Sequence, residues 1–150
     1  MYHAIVERKI RRAFADINAG RYEGIAAQFA HEHRHAMVGQ HALGGQRSCL
    51  AATQRWYDRL QRLLPGLHFD IDRVLVRGWP WRTWVVVSWR GSFALPDGSR
   101  GSNRGVHEFE LAWGRVRALT VHCDTARLAG YLAQLEAAGM AEATAAPITG

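Results

Sequence analysis

A chain of 150 residues fits one globular unit and fits two poorly, because halves of that length have marginal cores. Hydrophobic residues at 48%, charged residues at 21% and only four prolines exclude disordered, collagen-like and low-complexity chains. The formal charge of +6 comes from arginines spread along the chain with a single lysine, Lys9, and this scatter, without a run or tail, argues against a nucleic-acid partner.

The first apolar stripe, Val6, Ile10, Ala13, Phe14 and Ile17, predicts a helix over His3–Ala19 that stops at Gly20. Arg21 to about Ala30 reads as a second short helix through Tyr22, Ile25, Ala26 and Phe29, and His35–Val38 as a short strand. Ser48 is the expected N-cap of a long helix lined by Cys49, Thr53, Trp56, Leu60, Leu63 and Leu64, which Pro65-Gly66 terminates.

From Leu67 the sequence turns to β-branched and aromatic residues between turn signals, predicting strands over Leu67–Arg77, Arg82–Ala94, Arg104–Trp113 and Arg115–Cys123 as an antiparallel meander. A last helix is expected from Thr125 to about Ala138, with Leu128, Tyr131, Leu132 and Leu135 on one stripe. Helices first, then strands, then one helix define an α+β class with a curved sheet around helices, in a single unit spanning 1–150. No apolar run approaches the roughly 18 residues of a membrane span and the N-terminus lacks signal-peptide order, so a cytoplasmic location is expected. Cys49 and Cys123 lack paired spacing and read as two buried thiols, with neither disulfide nor zinc site.

Strand alternation singles out one titratable group. His107, Phe109, Leu111 and Trp113 share a face opposite Glu108 and Glu110, and Val85, Val87, Trp89 and Phe93 share a face of the preceding strand. His107 therefore points inward, either as a proton shuttle or as a buried histidine bonded to a backbone carbonyl. Asp124 precedes the last helix and is read as its N-cap or as a pocket acid. The parity of His122 is ambiguous. His31, His33 and His35 imitate a metal site but have no further ligand motif, so they read as solvated or interfacial and no metal is expected. Trp56, Tyr57, Trp89 and Phe109 are either core filling or the walls of an apolar pocket.

The order of elements, with Asn18-Ala19-Gly20-Arg21-Tyr22 through Phe29-Ala30, Gly105-Val106-His107 through Val116, and Val121-His122-Cys123-Asp124-Thr125, resembles the nuclear transport factor 2-like superfamily and its bacterial SnoaL-like branch over about residues 3–140. The resemblance implies a cone-shaped fold, a pocket between the long helix and the concave sheet, and a homodimer through the sheets. It also departs from catalytic members: Met37 stands where ketosteroid isomerase-like proteins carry a base aspartate, and the Arg-x-Asp triplet of limonene epoxide hydrolase-like proteins is absent. The likeness to polyketide cyclase-like members places His107 and Asp124 near their histidine and aspartate. It thus implies cofactor-free isomerisation, cyclisation or dehydration of a small apolar molecule, with His107 and Asp124 catalytic and Trp56, Tyr57, Trp89, Phe109 and His122 lining the pocket. The rival reading is a non-catalytic ligand-binding or protein-interaction module of the same fold.

Overall fold

The computed structural model describes all 150 residues. Three helices, α1 (Tyr2–Asn18), α2 (Leu50–Leu63) and α3 (Thr125–Ala137), pack with one six-stranded sheet. Its strands are β1 (Phe29–Met37), β2 (Gly45–Arg47), β3 (His68–Trp79), β4 (Arg82–Ala94), β5 (Arg100–Ala112) and β6 (Arg115–Cys123). The expected meander forms as β6-β5-β4-β3, and β1 continues the sheet by pairing parallel to β6, with β2 at the edge. No helix is long and apolar enough to cross a membrane.

Each helix follows from its stripe. Val6, Ile10, Phe14 and Ile17 of α1 are buried, as are Trp56, Tyr57, Leu60 and Leu63 of α2 and Leu128, Leu132 and Leu135 of α3. On the sheet, Val85, Val87, Trp89 and Phe93 of β4 and His107, Phe109 and Leu111 of β5 face this core. The outer face keeps Leu75, Trp84 and Val86 exposed.

Several local expectations are corrected. The stretch expected as a second helix is a turn with one 3-10 segment at Ala26–Gln28, and Phe29 already begins β1. Ten residues interrupted by Gly24 cannot repay helix nucleation, yet Tyr22, Ile25 and Phe29 are still buried. Strand β1 starts earlier than its polar sequence indicates, and a register shift against β6 between Phe29 and Arg34 accompanies the burial of His33 and His35, which are not solvated.

Cys49, not Ser48, caps α2: its Sγ accepts the Ala52 N–H at 3.4 Å, while the Ser48 hydroxyl donates to the Gly150 carbonyl. Cys49 is thereby exposed, and only Cys123 is even partly covered. Trp113 does not continue the inner face of β5. It occupies a tight turn at φ 52° beside Gly114 at φ 78°, a conformation that suits the strand twist and turns its ring out to 74% exposure.

Candidate functional site

Strand register builds the centre of the molecule. Trp89 lies directly opposite Gly105, and His107 opposite Val87, so Trp89 and His107 are diagonal neighbours on the inner face. A side chain at Gly105 would collide with the Trp89 ring, its Cβ falling 2.5 Å from the indole. The missing side chain lets the indole lie across the strand, and Trp89 Nε1 donates to His107 Nδ1 at 2.8 Å.

That bond decides the chemistry of His107. An indole nitrogen can only donate, so Nδ1 is an acceptor and the neutral ring carries its proton on Nε2. Phe14, Phe69, Trp89 and Phe109 surround the ring at centroid distances of 5.0–5.8 Å. Burial in these aromatics pushes the pKa down to about 3, with a smaller contribution from the charge of His122. At neutral pH the ring is therefore neutral, with Nε2–H left to donate; of the two readings taken from the sequence this is nearer the buried histidine, its partner an indole and not a backbone carbonyl.

Two narrow voids border His107. One, of about 60 Å³, is lined among others by Ile17, Trp56, Tyr57, Phe69, Trp89 and Asn103. The other, of about 40 Å³, lies between α1 and the sheet, where Phe14, Phe29 and Phe109 join the wall. Ile17, Tyr57 and His107 border both, and no carboxylate lines either. Burial holds the Tyr57 phenol protonated, so it offers a second neutral donor beside the His107 N–H. Both voids are far below the roughly 300–1,000 Å³ of drug-sized pockets, so the cone is largely filled by aromatic side chains.

Of the residues singled out in the sequence, Trp56, Tyr57, Trp89 and His107 border the larger void, and Phe109 borders the smaller one. Two residues lie elsewhere. Asp124 is exposed and caps α3, its Oδ1 accepting the Arg127 N–H at 3.0 Å, so it is not brought to His107. His122 stands on the outer face, with Nε2 3.3 Å from Glu108 Oε1 and not in the cavity wall. Its strand carries Val121 inward, which leaves His122 turned out. Sequence reasoning missed Ile17, Phe69 and Asn103 as lining residues. Asn103 lies just outside the strand expected from Arg104, whereas β5 already begins at Arg100, a start that Gly101 hides.

A second polar cluster is wholly structural in its contacts. Arg47 is 1% exposed and donates to the Ile148 carbonyl, the Gly44 carbonyl and His35 Nδ1 at 2.9, 2.8 and 2.7 Å, with its guanidinium 5.5 Å from the Trp56 ring centroid. Next to it His33 donates Nδ1–H to the Ala30 carbonyl and accepts the Thr53 hydroxyl at Nε2. His33 thus ties β1 to α2 and His35 ties it to β2, with His35 Nε2 buried without a partner.

The sequence pattern of the SnoaL-like domain matches residues 10–119, and the chain belongs to that family. No curated protein matches it in sequence. Among solved structures it is similar to PrhC from Penicillium brasilianum, at 12% identity and a TM-score of 0.78 over 94% of each chain. It is also similar to a nuclear transport factor 2-like protein of unknown function from Burkholderia pseudomallei, at 16% identity and a TM-score of 0.73 over 84% of this chain and 95% of that one. A third is SalBIII, described as an epoxide hydrolase/cyclase-like enzyme in pyran ring formation in the polyether salinomycin, at 16% identity and a TM-score of 0.68 over 83% and 94%. At these identities the likeness establishes the cone-shaped α+β fold.

Proposed function

We propose that the protein binds a small, largely apolar molecule in the space beside His107, holding it through one oxygen atom to which His107 Nε2–H donates. The observation that carries this reading is the 2.8 Å bond from Trp89 to His107 Nδ1, which commits one ring nitrogen and leaves the other as a donor next to both voids. Tyr57 supplies a hydroxyl bordering the same space. The chemistry open to such donors is electrophilic: they polarise a carbonyl or ether oxygen and stabilise negative charge that grows on it during enolisation or ring closure. With no carboxylate in the walls, the proton acceptor in such a step is a second group of the substrate. The description of SalBIII as cyclase-like supports this class of reaction.

The second reading is a holder of the same ligand without turnover, and the volume of about 60 Å³ favours it, because only a small molecule enters without side-chain movement. Titrating the protein with cyclohexanone and with phenol, while following the Trp89 indole N–H by NMR, tests the binding claim common to both readings. The expected result is a saturable displacement of that signal which His107→Leu abolishes, with the variant's melting curve confirming that it is folded. An unmoved signal, or equal displacement in His107→Leu, rules the proposal out.

A further inference from the structure

We infer a second binding site, separate from the interior voids, that takes a small phosphorylated metabolite in the polar groove between β4, β5 and the first turn of α3. The groove has a volume of about 390 Å³ and is lined by Arg90, Gly91, Ser102, Asn103, Arg104, Asp124 and Arg127, without one apolar side chain. Arg90, Ser102 and Arg104 alternate to the face opposite Gly91 and Asn103, which also border the interior void and so form the wall between the two sites.

Charge is arranged unfavourably there unless something answers it. Arg90 and Arg104 are directly opposed across β4 and β5, a like-charge pairing that weakens a sheet. Asp72 answers Arg90 at 3.3 Å, but the Arg104 side chain forms neither a hydrogen bond nor an ion pair. Arg127 has no carboxylate within ion-pair reach either. It is held in place by the Ser102 carbonyl at 2.7 Å and the Ser102 hydroxyl at 3.0 Å, with its guanidinium 5.7 Å from the Tyr131 ring centroid. Asp124, the one carboxylate in the lining, is engaged by the Arg127 backbone N–H, and Asn103 pins its backbone at both N–H and carbonyl.

The groove therefore presents three guanidinium groups, of which Arg90 is paired with Asp72, Arg127 is immobilised on Ser102 and Arg104 alone has no side-chain partner. Immobilisation in advance removes part of the ordering cost of binding. Arg104 keeps its whole planar guanidinium fork for paired phosphate oxygens, Arg127 keeps Nη1, and the Ser102 hydroxyl, which accepts from Arg127, keeps its own proton to donate. The absence of apolar wall selects a hydrophilic body for the rest of the ligand, as in a sugar phosphate.

Calorimetric titration of the full chain with glucose 6-phosphate at low salt tests the inference, with inorganic phosphate and glucose as separate arms. One molecule of glucose 6-phosphate is expected to bind per chain and glucose not at all. Arg104→Gln and Arg127→Gln should each weaken binding about tenfold, while Arg8→Gln, on the exposed side of α1, leaves it unchanged. Tighter binding of glucose 6-phosphate than of inorganic phosphate supports a phosphorylated metabolite as the occupant. Equal affinity for the two, no saturable binding, or equal weakening by Arg8→Gln overturns it, the last by reducing the attraction to diffuse positive charge.

Discussion

Arg47→Leu is expected to lower stability by about 3 kcal/mol and the melting temperature by about 10 °C. Burial lowers the guanidinium pKa only to about 10, so it remains charged at neutral pH. No carboxylate neutralises it. The charge is carried by carbonyl dipoles, a neutral imidazole and an indole face. Leucine replaces the packing of the side chain but leaves two carbonyls and His35 Nδ1 without their donor in a buried place, and such orphaned groups cost far more than a hydrogen bond contributes. Chemical denaturation followed by circular dichroism measures the loss. A change below about 1 kcal/mol would show that the cluster is dispensable for packing β2 and the chain near Ile148.

Ile17→Ala should cost about 3 kcal/mol and at the same time change what the interior accepts. Ile17 is 8% exposed and borders both voids, so removing its side chain joins them into one space under Tyr57 and His107. An apolar cavity of this kind stays dry and takes up small apolar molecules. Saturating benzene, which offers no oxygen to His107, is therefore expected to raise the melting temperature of Ile17→Ala by several degrees and that of the parent protein by less, because a ligand that binds only the folded state stabilises it by mass action. An equal rise in both proteins would mean that the aromatic side chains already part to admit such a ligand.

Much of the scaffold was legible because its residues obey one period at a time. The bounds of β4 and β6 are those read from Arg82–Ala94 and Arg115–Cys123, where β-branched and aromatic residues run between turn signals. The inward turn of His107 followed from alternation with Phe109 and Leu111. Its protonation did not, because that is set by Trp89, whose reach depends on the absence of a side chain at Gly105 in the facing strand. Register of this sort is a relation between strands and leaves no trace in either alone.

The histidines of β1 were misleading for a similar reason. Their polar sequence looks like a loop, whereas parallel pairing with β6, some eighty residues later, buries them, with Thr53 and Arg47 donating to His33 Nε2 and His35 Nδ1 while His35 Nε2 is left without a partner. Asp124 carried two readings, and the local one prevailed: a side chain that begins a helix is used first by the free amides beside it. Pocket volume was beyond reach of any pattern, since it is what remains after Phe69, Trp89, Trp56 and Phe93 have packed.

The state of the His107 ring is the point on which the functional account turns. Long-range nitrogen–proton NMR of the imidazole, recorded from pH 8 to pH 5, reads it directly. The account requires a neutral ring protonated at Nε2 throughout that range, with Nδ1 showing the shift of a hydrogen-bonded acceptor, because the unfavourable burial of its charge holds the pKa near 3. A ring protonated at Nδ1, or one that gains a second proton near pH 6.5, would contradict it.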